Sequence, residues 1–252
     1  MVNKNSLQSF ISKYYLNGRF NAVKWRIDNN VLTVYAGESG RVCKVELNDF
    51  DLENKEIGIF DTHKLSKLLS ITTGELLLTL DSQGALSNKL KIADEGFDLS
   101  YSLSDPLVIP KTKWYKDPES WEMEIDLTPS DIDSLIKAKN ALSDYDFLNI
   151  KSTRDIDKNL TCEFVFGDGS NYSNKITYRI GGTIDESFLD SPMPFDSNLF
   201  KEILSANKDM DTAYFKLSSK GMAKFIFQSE NINSTYYICL LYTSPSPRDG
   251  LL

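Results

Sequence analysis

A short internal repeat constrains this chain more than any other feature. Residues 60–70 read Phe-Asp-Thr-His-Lys-Leu-Ser-Lys-Leu-Leu-Ser, and residues 195–205 read Phe-Asp-Ser-Asn-Leu-Phe-Lys-Glu-Ile-Leu-Ser. Phe, Asp, a Ser or Thr, the apolar pairs Leu65/Phe200, Leu68/Ile203 and Leu69/Leu204, and the closing Ser coincide at an offset of 135 residues. One such match is weak, because Ser and Thr are common helix caps. A repeat of whole units around it is stronger. Four segments carry apolar residues at helical spacing. They are Leu7, Phe10, Ile11, Tyr14 and Tyr15; Leu65, Leu68 and Leu69, with Thr62 as the expected cap; Ile132, Leu135, Ile136 and Leu142; and Leu199, Phe200, Ile203 and Leu204. Gly18 and Gly74 stand where the first two helices should stop. Thr128-Pro129-Ser130-Asp131 opens the third with Pro at the first helical position.

Runs of alternating or β-branched residues follow each helix. After the first come 23–27, 31–35 and 42–47; after the second, 76–80, 90–93 and 97–103. After the third come 147–151, 161–166 and 175–180, with Gly167-Asp168-Gly169-Ser170 as a hairpin turn; after the fourth, 214–217, 223–227 and 235–240. Short strands at 57–60, 123–127 and 193–195 precede helices two, three and four. The chain therefore reads as β-α-β-β-β four times, an α+β architecture of two similar domains with helices on one face and antiparallel sheets on the other. The expected boundaries are 1–103 and 121–240, joined by a Pro-rich connector at 104–120. That connector holds Leu107, Val108, Ile109, Trp114 and Tyr115, more apolar surface than a solvated linker needs. Residues 241–252 are turn-rich, fit no strand pattern, and read as a non-native or disordered tail.

Charge is distributed unevenly. The chain carries −8 overall with a pI near 4.8, which argues against an ordinary basic nucleic-acid binder. Yet the helical segments with their flanks, 4–19, 62–73, 129–143 and 197–208, carry +3, +2, 0 and +1, leaving −14 for everything else. Segregated charge on an acidic protein points to one basic surface facing a polyanion and an acidic exterior that rejects it. Lysines without a recognition motif suit phosphate contact rather than base readout. The bland reading of each helix alone is a solvated face with Lys near its end, favoured by the dipole.

Other features exclude rather than identify. No apolar run approaches the length of a membrane helix. Cys43, Cys162 and Cys239 form no paired motif, which fits a reducing cytoplasm. The single histidine, His63, reads as solvated, and no phosphate loop, zinc motif or nucleophile elbow occurs. No catalytic constellation, metal site or cofactor is expected.

The four-unit chain with polar helices and an interdomain connector resembles a DNA polymerase sliding clamp. Lys91-Ile92-Ala93-Asp94, Asp105-Pro106 and Pro110-Lys111 are similar to the tailed-phage branch. The resemblance implies a head-to-tail homotrimer, six domains per ring, that encircles double-stranded DNA without sequence preference. It would tether the DNA polymerase and be placed by a clamp loader, in the cytoplasm of the bacterial host. Carried onto this chain, it implies that Lys4, Lys13, Arg19, Lys64, Lys67, Lys137, Lys139, Lys201 and Lys208 face DNA. The neutral third helix departs from the pattern at Lys137 and Lys139. Leu107, Val108 and Ile109 would wall a pocket for a partner peptide. The subunit interface is expected at Phe97, Leu99 and Tyr101 on one strand and Ile176, Tyr178 and Ile180 on another. A phage structural or protein-interaction module with no DNA role remains the alternative.

Overall fold

The computed structural model describes residues 1–83, 86–154, 157–167, 173–188 and 192–241. Its element order is four repeats of one unit. The first is β1 (Val2–Asn3), α1 (Lys4–Tyr15), β2 (Val23–Asp28), β3 (Val31–Glu38) and β4 (Arg41–Leu47). The second is β5 (Lys55–Ile59), α2 (Thr62–Ser70), β6 (Glu75–Gln83), β7 (Leu86–Ala93) and β8 (Asp98–Ser102). The third is β9 (Met123–Asp126), α3 (Pro129–Ala141), β10 (Phe147–Arg154), β11 (Leu160–Phe166) and β12 (Ile176–Gly181), followed by the short β13 (Thr183–Ile184). The fourth is β14 (Met193–Asp196), α4 (Ser197–Ala206), β15 (Thr212–Ser218), β16 (Met222–Gln228) and β17 (Ile232–Cys239).

The leading strand of each unit joins the sheet of its neighbour: β1 pairs with β6, β5 with β2, β9 with β15 and β14 with β10. This reciprocal exchange ties units in pairs and is the same in both halves of the chain. Two four-stranded sheets result, ordered β1-β6-β7-β8 and β12-β11-β10-β14. The remaining strands form one nine-stranded sheet, β13-β9-β15-β16-β17-β4-β3-β2-β5. Its centre is the antiparallel pair β4–β17, with Cys43 opposite Tyr236 and Leu47 opposite Ile232, so the halves share a continuous sheet.

Strand alternation places one face of each sheet under the helices. Trp25, Val34, Val45, Phe215, Phe225 and Tyr236 are buried there against Leu7, Phe10, Tyr14, Phe200 and Ile203, in a single core spanning both halves. Of the two helix caps expected from the sequence, that of α3 stands and that of α2 shifts by one residue, while Asn3 caps α1 with no expected counterpart. Thr128 and Asp131 form a reciprocal capping box on α3. Asp61, not Thr62, caps α2 by accepting from the Lys64 amide, and Thr62 is buried as the first helical residue. The strands β1 and β13 and the 3-10 turn at Glu186–Phe188 have no expected counterpart, being two or three residues long. The proposed 167–170 turn lies largely outside the described residues, as does nearly all of the 241–252 tail.

The connector leaves β8 where Ser104 bridges Gly58, and a Cβ at Gly58 would sit 2.5 Å from the Ser104 carbonyl oxygen. A single turn over Pro106–Val108 follows, capped by Asp105. From there the connector crosses the nine-stranded sheet on the face away from the helices. Trp114 packs edge-on against Tyr35 and Tyr237, both of which alternate with core-facing neighbours. Lys224 Nζ donates to both Asp117 oxygens at 2.9 Å, and the Tyr237 hydroxyl also donates to Asp117.

Candidate nucleic-acid interface

The four helices make one contiguous layer in the order α2, α1, α4, α3. Its outward side is dominated by small neutral donors and acceptors: Asn5, Ser12, Ser66, Ser70, Asn140 and Ser205. A groove of about 420 Å³ runs between α1 and α4, lined by Ser12, Tyr15, Asn17, Asn198, Lys201 and Glu202. His63 is exposed beside it, its ring stacked on Tyr15 with Nδ1 at 3.2 Å from the Tyr15 hydroxyl.

The nine basic residues expected on this surface separate into two groups. Lys64 and Lys67 on α2, Lys137 on α3 and Lys201 on α4 reach the surface and make no ion pair among the described residues. Lys4, half-buried at the start of α1, belongs with them; its Nζ makes a long 3.4 Å hydrogen bond to the Ser70 carbonyl.

The other four are committed inside the chain, and two are corrections outright. Lys13 has 0% exposure: its ammonium donates to Asp209 Oδ1 at 2.6 Å, Ser9 Oγ at 2.7 Å and the Ala206 carbonyl at 3.2 Å. Lys139 is 3% exposed and donates to the Ser143 and Tyr145 carbonyls, both at 2.8 Å, closing the chain after α3. A buried ammonium cannot line a surface, so neither belongs to the interface. Burial lowers the pKa of both lysines; the Asp209 carboxylate partly offsets this at Lys13. Arg19 is half-buried and bound to Glu202 and Asp196, while Lys208 is paired with Asp133 at 2.6 Å. Their charge is largely neutralised in place.

Helical geometry held the signal for Lys139. It lies three residues after Ile136, four after Leu135 and seven after Ile132, inside the apolar arc of α3. Lys13 sits at the edge of the α1 arc, three residues after Phe10. Its partner comes from the other half of the chain, beyond the reach of any count along one helix.

The interface strands and connector separate similarly. The strands β8 and β12 terminate the two four-stranded sheets. Phe97 is exposed, and Leu99, Ile176 and Tyr178 are half-buried; Tyr101 and Ile180 point into the core, where a contact with a second copy is barred. Tyr101 instead bonds Asp61 through its hydroxyl, which donates to the Asp61 carbonyl and accepts from the Asp61 amide, both at 3.0 Å. Leu107 and Val108 are 85% and 65% exposed, whereas Ile109 is 4% exposed and anchors the turn. Ile109 is therefore unavailable to wall a pocket open to solvent.

Cys43 and Cys162 are buried and their thiols pushed up by desolvation, Cys43 to about 12, so neither is a nucleophile. Among the described residues no cluster of His, Cys, Asp and Glu has metal-binding geometry, and no helix is long and apolar enough to cross a membrane.

No protein-family model matches this sequence, and no curated protein matches it. Solved structures do. The PCNA of A. fulgidus, in complex with the C-terminal region of FEN-1, superposes with a TM-score of 0.75 at 15% identity, over 96% of this chain and 98% of that one. Proliferating cellular nuclear antigen from Entamoeba histolytica superposes with a TM-score of 0.70 at 16% identity, over 95% and 96% of the two chains. Over nearly its whole length, the chain has the fold of the PCNA sliding clamps.

Proposed function

We propose that this chain is a non-enzymatic sliding clamp that closes around duplex DNA and tethers the replicative polymerase. The observation that carries this reading is the continuous helix layer: polar, contiguous across both halves, and bearing Lys4, Lys64, Lys67, Lys137 and Lys201, which make no ion pair among the described residues. Such a surface holds phosphates at several points without selecting sequence. Mobile contacts of this kind permit sliding. The acidic remainder of the chain disfavours DNA elsewhere.

The ring is proposed as a homotrimer of head-to-tail contacts. Each subunit contributes two domains, 1–103 and 121–240, linked by the 104–120 connector. Supporting this, β8 and β12 offer free strand edges at the ends of separate sheets, the arrangement a heterologous closing interface requires. Phe97, Leu99, Ile176 and Tyr178 would pack across it. Leu107 and Val108 are proposed to receive a peptide from the polymerase and clamp loader. Exposed apolar residues on a tethered turn fit such a role, and the A. fulgidus neighbour holds a partner's C-terminal region. The tailed-phage assignment, with action in the host cytoplasm, rests on the 91–94 strand and the connector sequence.

Light scattering over a range of concentrations tests the assembly, with a variant truncated after Leu240 run beside the full chain. A trimer mass in either is expected. A strict monomer in both at high concentration contradicts the ring.

A further inference from the structure

A second cavity, of about 440 Å³, lies on the opposite side of the nine-stranded sheet from the helices. The β3–β4 hairpin supplies Gly37, Glu38 and Val42, and the connector supplies Lys111, Lys113 and Tyr115. Tyr115 fixes the wall by accepting a 2.8 Å hydrogen bond from the Gly40 amide. Arg41 Nε donates to Glu38 at 2.6 Å and neutralises it.

Four basic residues on this side of the sheet are matched. Lys44 pairs with Glu46, Lys216 with Glu124, Lys220 with Glu119 and Lys224 with Asp117. Lys111 and Lys113 are exposed and have no hydrogen-bond or ion-pair partner among the described residues. Two cations without an ion-pair partner among the described residues, at the rim of a partly apolar cavity on a chain of net −8, favour an acidic partner there. Thr112, between them, is half-buried and donates to the Tyr35 carbonyl at 3.1 Å, while Lys111 and Lys113 are exposed and both line the cavity. Two ammonium groups at one rim suit a partner that carries more than one carboxylate.

We infer that this cavity selects a partner peptide whose apolar anchor is flanked by acidic residues, Lys111 and Lys113 being the specificity determinants. The inference rests on the partner-peptide reading above and adds the chemistry of the partner. A nucleic acid fits less well. Glu38 is part of the lining, and the chain's net charge of −8 disfavours a polyphosphate beyond the lysine pair.

Fluorescence anisotropy with three labelled synthetic peptides tests it. All share one leucine–phenylalanine anchor and differ in flanks of aspartate, asparagine or lysine. The wild-type chain is expected to bind the aspartate form roughly three- to tenfold more tightly than the asparagine form, the scale of two exposed ion pairs. The Lys111→Glu/Lys113→Glu variant, its melting temperature unchanged, is expected to prefer the lysine form. Equal affinity for all three flanks, with binding lost in Leu107→Asp/Val108→Asp, overturns the charge inference and leaves the partner site standing. Displacement of the aspartate peptide by single-stranded DNA, abolished in the Lys111/Lys113 variant, overturns it in favour of a nucleic-acid site. Failure of the folded wild-type chain to bind any of the three overturns both.

Discussion

Lys13 and Asp209 are 196 residues apart in sequence and 2.6 Å apart in the fold, joining α1 of the first half to the end of α4 in the second. Ser9 completes the cluster by donating to Asp209 Oδ2 at 2.6 Å. Beneath it the Tyr236 hydroxyl donates to the Lys13 carbonyl and accepts from Asn207, whose side-chain oxygen accepts from Ser234. Every polar group named in this junction, from the exposed Asp209 carboxylate to the buried Tyr236 hydroxyl, is bonded, which specifies one docking of the halves.

Removing one partner leaves the other exposed to the cost of burial. Asp209→Ala strands the Lys13 ammonium and is expected to cost about 2–3 kcal/mol in urea denaturation. Lys13→Met retains the buried stem without its charge and should stay within about 1 kcal/mol of wild type. An Asp209→Ala chain as stable as wild type would mean the contact carries no weight in the junction.

Acid should weaken the same junction. Burial alone would raise the Asp209 carboxyl, but hydrogen bonds from Ser9 and Lys13 with the Lys13 charge outweigh it and hold the group below its ordinary value. A carboxyl with a lower pKa folded than unfolded contributes stability above the unfolded value, and that contribution is lost as pH falls through the folded one. The window opens below about pH 4. Wild type and Asp209→Asn should differ in urea midpoint at neutral pH and converge in acid. A gap that persists unchanged at low pH would assign the effect to packing instead.

Sequence alone revealed the α+β class, the four β-α-β-β-β units and most element boundaries, because each helix carried an apolar stripe and each strand was an alternating or β-branched run. The shared β4–β17 pairing was not legible, since nothing local to 41–47 or 232–239 records which strand lies opposite. Site residues were legible only where exposure followed from helical position. Lys64 and Lys67 lie off the apolar arc of α2, and their solvated state could be read. Lys13, Arg19 and Lys208 depend on acids contributed by distant segments, and their commitment appears only in three dimensions.

Two lysines on one helix give an internal comparison. Lys137 faces outward on α3 and Lys139 inward. Lys137→Glu should weaken duplex binding with no loss of stability. Lys139→Met should leave duplex binding intact and cost about 1 kcal/mol, from the hydrogen bonds lost to Ser143 and Tyr145. Equal effects of the two on DNA would dissolve the distinction between surface and buried lysines.

Connector residues should diverge in the same way. Leu107→Asp/Val108→Asp should abolish partner-peptide binding with an unchanged melting temperature, because both side chains are solvated. Ile109→Asp buries a carboxylate without a partner and should destabilise by several kcal/mol, on the order of 3 or more. Peptide binding retained in the Leu107/Val108 variant would remove those residues from the partner site.

Phe97 is a large exposed side chain beside the free edge of β8. Phe97→Asp should shift light-scattering mass from trimer toward monomer while the monomer melts as before. A trimer of undiminished affinity would place the interface elsewhere.

The central claim, that the helix layer holds DNA, is tested most directly by charge reversal on its two faces. Lys64→Glu/Lys67→Glu changes the helix layer, while Arg26→Glu/Lys89→Glu changes exposed strand positions on the far face. Duplex retention should be measured across a salt series, with trimer mass and melting temperature checked in both variants. The helix pair should lose retention, and its slope against log salt should shrink by roughly 0.9 for each phosphate contact removed. The strand pair should behave as wild type. Loss of retention in the strand pair, with the helix pair unaffected, would contradict the account.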